Sequence, residues 1–369
     1  MNKHLPHVLN VSLSHVHGGG PQVCLNYSKM LRAQGYRVTA LLRPDDPVIE
    51  RHQNAGARVI TEERLGQCAP HNVFARHYCK KLLRRIEPDI IIAHDGRSTA
   101  FMSAVSGNIP VVDVNHGRGV KPSLKTDATF VLNHTQYNLT NASLAERGHI
   151  YLIPNMLKFQ AGHTFPTRPD FRQPPVIGAL GRLVKDKAYD VLIQAIYLLN
   201  IKGVPCRLLI GGEGEERAHL EELIDRYNLR EQVTLAGWIN DPALFYRDLD
   251  IFCVPSRYES FSLVLLEAIQ AGLPVVVSNT EGPASIITHV TNGMMVKKED
   301  APSLALALRT VIEAPEEAKE RAKEAYDMIK RQYAMETIGN QLHLAISNIM
   351  ADKARPERAV VNKLPVDSY

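Results

Sequence analysis

The chain of 369 residues has one Trp and five Cys, and Cys24, Cys68, Cys79, Cys206 and Cys253 stand far apart with no CxxC pair. That scatter argues against a disulfide framework or a structural zinc site, and the cysteines are expected as small buried apolar residues. No run of eighteen or more uncharged apolar residues occurs, so no segment reads as a membrane-spanning helix. The opening MNKHLPHVLNVSLSHVHGGG lacks an apolar stretch long enough for a secretory signal, and a cytosolic protein is expected. Short-period repeats and low-complexity segments are also missing. With 45% hydrophobic and 22% charged residues, the composition is that of a globular chain and excludes wholesale disorder.

The length exceeds what one hydrophobic core usually organises, so two domains are expected. Charge divides along the chain in the same way. Residues 1–165 carry 19 Lys and Arg against 11 Asp and Glu, whereas the remainder carries 24 against 28. A basic front half suits an anionic partner such as lipid head groups or a phosphorylated acceptor.

β-Branched runs alternate with polar turns and with segments of helical apolar spacing. HVLNVSLS (7–14), the Gly-opened helix 18–35 and YRVTALLR (36–43) make a βαβ unit, and strands follow at 88–96, 110–117, 128–133 and 150–155. Most of these runs are apolar enough to be covered on both faces, which implies parallel sheet. Between Leu157 and Pro175 the periodicity lapses, and residues 166–175 are read as an interdomain linker. A second alternating set then places strands at 176–182, 206–214, 233–238, 249–256 and 273–279. The expected organisation is an N-terminal Rossmann-like domain over 1–165, a C-terminal Rossmann-like domain over 176–332, a helix at 333–352 crossing back to the first domain, and a tail at 353–369. Two Rossmann-like α/β domains with parallel sheets, facing across a cleft, are the fold class.

The stretch SRYESFSLVLLEAIQAGLPVVVS (256–278) carries the strongest chemical signal. It reads as a loop, a helix and a buried strand, so the helix N-terminus sits at the carboxyl edge of the sheet, where open α/β sheets bind ligands. The amides of Phe261, Ser262 and Leu263 would face that edge beside the positive end of the helix dipole, a setting suited to phosphate. Glu259 precedes the helix. Glu267 interrupts its apolar face, and the two carboxylates flank the anion site as acceptors for hydroxyls. GRLVKDK (181–187) brings Arg182 and Lys187 to the same edge as counter-charge for a diphosphate. GGEGEE (211–216) ends the next strand, and Gly212 would let backbone approach a ligand.

In the first half, HVHGGG (15–20) ends a strand and opens a helix, so Gly18, Gly19 and Gly20 could present amides to phosphate or sugar. The run is not GxGxxG, and Asp45 and Asp46 come two residues late for a nicotinamide site. His116 and the pair His94 and Asp95 end strands of this half, and His116 is the candidate to face a sugar. The segment RHYCKKLLRRIEPD (76–89) puts Tyr78, Leu82, Leu83 and Ile86 on one side and Lys80, Lys81, Arg84 and Arg85 on the other. Such a helix fits either an anionic membrane surface or a plain crossover with a solvated face.

Taken together, GRLVKDK, GGEGEE, Gly237 with Trp238 and ESFSLVLLEAIQAGLPVV resemble the retaining glycosyltransferases of family four, which have the GT-B fold. The E-x7-E spacing from Glu259 to Glu267, followed by A-x-A-G-x-P at Ala268 to Pro274, carries most of the resemblance. It is strong over about 176–300 and looser in the N-terminal half. The resemblance implies a nucleotide diphosphate sugar, such as a UDP-sugar, as co-substrate, with Arg182 and Lys187 on the diphosphate, Glu267 on the ribose and Glu259 on the donor sugar. It also implies that the Gly18–Gly20 loop closes from the other domain and that His116 lies near the sugar. Ala188 stands where many members have glycine after the lysine.

Transfer to a glycan or glycolipid acceptor in lipopolysaccharide or cell-surface polysaccharide synthesis is the leading expectation, at the inner face of a membrane. No metal ion is expected, since no DxD-like acid cluster ends a strand, and no nucleic acid partner is expected. A nucleotide-sugar epimerase of the same fold is the alternative. A non-catalytic binding module is a third reading, disfavoured because Arg182, Lys187, Glu259 and Glu267 are all present.

Overall fold

The computed structural model describes residues 6–13, 19–66, 72–117, 119, 126–144, 148–160, 162 and 164–353. The chain divides into two compact units, one running to Pro154 and resuming at Ile338, the other spanning Asn155–Thr337.

In the first unit the elements follow as β1 (His7–Ser12), α1 (Gly19–Ala33), β2 (Arg37–Leu42), α2 (Ile49–Asn54), β3 (Arg58–Thr61), α3 (Glu63–Gly66), α4 (Val73–Ile86), β4 (Ile90–Ala93), α5 (Gly96–Val105), β5 (Val111–Asn115), β6 (Ala128–Val131), α6 (His134–Leu144) and β7 (His149–Leu152). Among the described residues these strands form one sheet in the order β3-β2-β1-β4-β5-β6-β7. Each pairing is parallel, as the two-sided burial of runs such as IIIA in β4 requires. The order reverses between β1 and β4, so the loops leaving those strands diverge and leave room above them.

The second unit runs β8 (Val176–Leu180), α7 (Tyr189–Ile201), β9 (Arg207–Gly211), α8 (Arg217–Arg226), β10 (Val233–Gly237), α9 (Pro242–Arg247), β11 (Ile251–Val254), α10 (Leu263–Gln270), β12 (Val275–Ser278), α11 (Glu281–Ile286), β13 (Met294–Val296), α12 (Ala301–Glu313) and α13 (Pro315–Gln332). Its sheet is also parallel, in the order β10-β9-β8-β11-β12-β13, with the reversal between β8 and β11. The core is aliphatic: Ile177, Leu208, Ile210 and Ile251 from the sheet pack with Leu192, Ile193 and Ile196 of α7 and Leu304 and Leu308 of α12. Helix starts are marked chemically. Asp241 and Asp300 accept from amides of the first turns of α9 and α12, and proline follows each cap, where its missing N–H costs nothing.

The division between the units comes at Pro154, ahead of the 166–175 segment expected as a linker. That segment is instead seated on the second unit. Arg168 donates to the carbonyls of Ala271 (3.0 Å), Tyr246 (3.3 Å), Arg247 (3.3 Å) and Leu249, and Arg172 pairs with Asp250 at 2.9 Å. Proline and charge suppress any periodic signal here, while long arginine side chains supply the docking.

The helical stretch 314–350 breaks at Tyr333 and Ala334, and α14 (Met335–Lys353) follows. Most of α14 joins the first unit, where His343 meets the Tyr36 hydroxyl at 2.7 Å and Asp352 meets His149 at 3.1 Å. Among the described residues, no helix is long and apolar enough to cross a membrane.

The basic segment forms α4, a crossover helix. Its Ala75, Cys79, Leu82, Leu83 and Ile86 are buried in the first unit's core, and Lys80, Lys81, Arg84 and Arg85 face solvent. The apolar side is thus consumed by the fold and unavailable to lipid. Val73 and Phe74 at its start remain 72% and 88% exposed.

Candidate active site

The switch between β8 and β11 brings two loops of the second unit side by side. One leaves β8 through Gly181 and Arg182 and closes with a short 3-10 turn, Lys185–Lys187. The other leaves β11 and runs from Pro255 to Ser262 into α10. They are stitched together by backbone and side chain. The Asp186 carbonyl accepts from the amide of Arg257 at 2.8 Å. The Arg257 guanidinium forks onto Asp190, with Nη1 to Oδ1 at 2.8 Å and Nη2 to Oδ2 at 2.6 Å, and also donates to the Lys185 carbonyl (2.8 Å) and to Glu299 (2.9 Å). Asp190 is held below the usual carboxylate range: burial works against its charge, and the bonds from Arg257 prevail.

Across this junction Lys187 Nζ pairs with Glu259 Oε2 at 2.5 Å. The lysine and glutamate side chains keep only 22% and 12% of their exposure, so the pair is shielded from screening by solvent and salt. Arg182 sits on the same loop with its side chain exposed. Ala188, which follows Lys187, has φ 53°, the left-handed region that glycine occupies without strain, and it starts α7 from there. The alanine at this departure from the family pattern therefore keeps a glycine-like backbone.

Gly212 has a structural task. It lies at φ 135°, its amide donates to the Gly237 carbonyl at 2.7 Å, and a Cβ there would overlap the Gly181 carbonyl oxygen. Leu183 then donates to the Glu213 carbonyl at 2.9 Å. The GGEGEE loop is the floor on which the 181–183 loop rests.

Phe261, Ser262 and Leu263 lead into α10, with Leu263 its first residue. Phe261 is 2% exposed, and its ring meets that of Tyr333 at a centroid distance of 5.7 Å. The Gly282 amide donates to the Glu259 carbonyl at 2.8 Å, and a Cβ at Gly282 would overlap the Phe261 backbone. The first-turn amides of α10 have no acceptor within their own helix, as at any helix start.

Glu267, one and a half turns in, accepts a hydrogen bond from the Tyr246 hydroxyl at 2.9 Å. Tyr246 itself is 3% exposed, and burial, then the Glu267 charge, drives its hydroxyl well above the usual phenol range. It stays a donor and fixes the carboxylate. Nothing in the local sequence points to Tyr246, since its partner lies 21 residues on and only the packing of α9 on α10 joins them.

The remaining site candidates, Gly18, Gly19, Gly20 and His116, belong to the first unit. Gly19 and Gly20 open α1, and no described atom lies within 4 Å of a Cβ built at Gly20. Gly18 lies outside the described residues. His116 follows β5 and stacks on His94 with ring centroids 5.9 Å apart and an interplanar angle of 29°. His94 Nε2 donates to Asn10 Oδ1 (2.7 Å), and Asn10 Nδ2 donates to the Cys24 carbonyl (2.8 Å) and to Ser28 Oγ (2.9 Å). Ser28 in turn meets His52 Nδ1 at 3.0 Å. Because the Cys24 carbonyl only accepts, the Asn10 amide is oriented, and His94 carries its proton on Nε2. Burial holds both imidazoles neutral, with His52 lowered to about 4.

Residues 17–156 match the model of Glycosyltransferase Family 4, and residues 165–328 match that of Glycosyl transferases group 1. The chain is 25% identical over 336 residues to the lipopolysaccharide core biosynthesis glycosyltransferase LpsE of Rhizobium meliloti (strain 1021), covering 89% of this chain and 96% of LpsE. It is 26% identical over 317 residues to LpsD of the same strain, covering 83% of this chain and 89% of LpsD. In fold it is similar to Anabaena HepE, solved in complex with UDP, with a TM-score of 0.75 over 93% of this chain and all of HepE at 19% identity. The lipopolysaccharide outer core galactosyltransferase WaaB in its apo form gives a TM-score of 0.69 over 93% and 99% of the two chains at 16% identity. The two Rossmann-like parallel sheets are those of the GT-B fold, and with its first unit matched by one model and its second by the other, the chain belongs to the glycosyltransferases of family 4.

Proposed function

We propose that this glycosyltransferase transfers a sugar, with retention, from a nucleotide diphosphate sugar, best a UDP-sugar, to a glycan or glycolipid acceptor in lipopolysaccharide or cell-surface polysaccharide synthesis. The observation that carries the proposal is the Lys187–Glu259 pair at 2.5 Å, set between the loop after β8 and the loop that opens α10. One group suits a diphosphate, the other a sugar hydroxyl. Each holds the other in place until a donor substrate exchanges with the pair. Supporting it are the LpsE and LpsD relationships for the acceptor class and UDP in the HepE neighbour for the donor.

In this reading the diphosphate takes Lys187, Arg182 and the amides of Phe261, Ser262 and Leu263. Glu267, steadied by Tyr246, accepts from the ribose. Glu259, released from Lys187, accepts from the donor sugar, with His116 and the Gly18, Gly19, Gly20 loop assigned to the sugar and phosphate by family resemblance. As the anomeric C–O bond breaks, negative charge grows on the departing diphosphate, and fixed cations and amides stabilise it without reorganising. The acceptor hydroxyl then attacks from the side the diphosphate leaves, passing its proton to a phosphate oxygen. No metal ion is assigned a role, because lysine and arginine supply the positive charge. Contact with an anionic membrane surface is assigned to the solvent-facing Lys80, Lys81, Arg84 and Arg85 of α4 together with exposed Val73 and Phe74.

Glu259→Ala should lower transfer by roughly 10²- to 10³-fold while UDP affinity by calorimetry stays near that of the parent. Full transfer by that variant would remove Glu259 from the mechanism. Incubation with a nucleotide sugar alone, followed by product analysis, separates transfer from the epimerase reading: an isomerised sugar formed without acceptor favours the epimerase.

A further inference from the structure

Buried side-chain oxygens without a partner are uncommon in folded proteins, and each calls for a reason. Ser262 is 6% exposed, and its Oγ has no hydrogen-bond partner among the described residues. It occupies the N-cap of α10, where a serine hydroxyl ordinarily accepts from an amide of the first turn. Here no such bond forms. Its backbone lies at φ 92° and ψ 86°, in the left-handed half of conformational space that glycine enters freely and serine does not.

Two costs therefore fall on one residue. The conformation is imposed from outside: Gly282 grips the preceding segment through the Glu259 carbonyl and the Phe261 backbone, and the Phe261 ring is held by Tyr333. A glycine at 262 would meet that geometry without strain and without an orphan hydroxyl. A side chain that adds strain, buries a hydroxyl and caps nothing makes physical sense if the hydroxyl's partner is a ligand at the mouth of α10.

We propose that the Ser262 hydroxyl is itself a diphosphate ligand, donating its proton to a non-bridging phosphate oxygen beside the first-turn amides of α10. The inference rests on the donor site proposed above and extends it from backbone to side chain. A hydroxyl can turn to follow a phosphate oxygen that fixed amides address along one direction only, and a hydrogen bond to a charged oxygen is roughly twice as strong as a neutral one.

The test compares the parent chain with Ser262→Gly and Ser262→Ala, using UDP, inorganic pyrophosphate and uridine as probes in calorimetry, and thermal melting without ligand. Ser262→Gly is expected to melt at or above the parent temperature because strain is relieved, yet to bind UDP and pyrophosphate about tenfold more weakly. Ser262→Ala should show the same loss, and uridine, which has no phosphate, should bind all three chains alike. Unchanged affinity for UDP and pyrophosphate in both variants overturns the hydroxyl's role and leaves the helix site standing. An equal loss for uridine overturns it too, since the change would then be a general loosening of the site. Failure of the parent chain to bind UDP or pyrophosphate at all would overturn the donor site, and this inference with it.

Discussion

The two units share a topology and differ in what they bury. The first runs polar side chains through the middle of its sheet: Asn10 on β1, His94 and Asp95 at the end of β4, and Asp113 on β5 are all nearly solvent-free. They are tied to Ser28, His52, Ser98 and Thr99 on the helices around the sheet. The second unit has an aliphatic centre and keeps its polar groups at the strand ends, where backbone packs on backbone at Gly212 and Gly282 and charged groups meet at Lys187, Glu259, Arg257 and Asp190. One sheet is specified by a hydrogen-bond network and the other by close packing. Errors in the two should have different signatures.

The largest expected effect is at the packed glycines. Gly212→Ala forces a methyl into the Gly181 carbonyl at an unfavourable φ and should destabilise the second unit by about 4 kcal/mol. Trp238, the sole tryptophan, belongs to that unit and reports its unfolding by fluorescence. A variant as stable as the parent would show that the floor of the site is not close-packed.

Next comes the network. Asn10→Ala strips partners from His94, Ser28 and the Cys24 carbonyl at once and should cost roughly 2 to 4 kcal/mol, read as loss of circular dichroism before Trp238 responds. Coincident transitions would mean that the units do not unfold separately.

Acid gives a smaller, graded effect. His52 is lowered to about 4 by burial, then by the charges of Lys29 and Arg51, and His94 is lowered by burial first. In the unfolded chain both take up a proton near pH 6.5, so the unfolded state binds more protons between pH 6.5 and 4. Stability from these groups is whole above pH 6.5 and drains as pH falls, at up to about 1.4 kcal/mol per pH unit for each proton. Denaturant unfolding at pH 7 and pH 5 should weaken the first unit preferentially, and a slope unaltered in His52→Asn would dispose of this account. The smallest effect belongs to α4: Lys81→Glu with Arg85→Glu should change stability by less than about 0.5 kcal/mol while lowering binding to anionic vesicles.

Much of this was legible beforehand. Runs such as VIGAL and VVVS read as buried parallel strands because only both-face coverage tolerates them, and SRYESFS before an apolar helix marked a helix start at the carboxyl edge of the sheet. The charge interrupting α10 was visible as an anomaly at Glu267, but its partner Tyr246 was not, because α9 and α10 meet only after the chain has folded. The segment 166–175 looked like a free linker since its arginines and prolines carry no period, yet Arg168 has four carbonyls to bind. Gly212 was visible as a glycine wanted for close approach. That its neighbour is the Gly181 backbone depends on the separation of two loops.

Local order is a property of short windows, in which side-chain branching, apolar spacing and helix-capping residues act on the few residues beside them. The amino-acid order therefore settled the strands, the helices, their parallel arrangement, the positions of Arg182, Lys187 and Glu259 in loops that follow strands, and that of Glu267 within α10. Only the tertiary structure decided that Lys187 would neutralise Glu259, that Tyr246 would hold Glu267, and that Ser262 would carry a strained backbone and an idle hydroxyl. Those outcomes depend on distances of a few ångströms between residues tens of positions apart, which the packing of one element on another sets and no local pattern encodes.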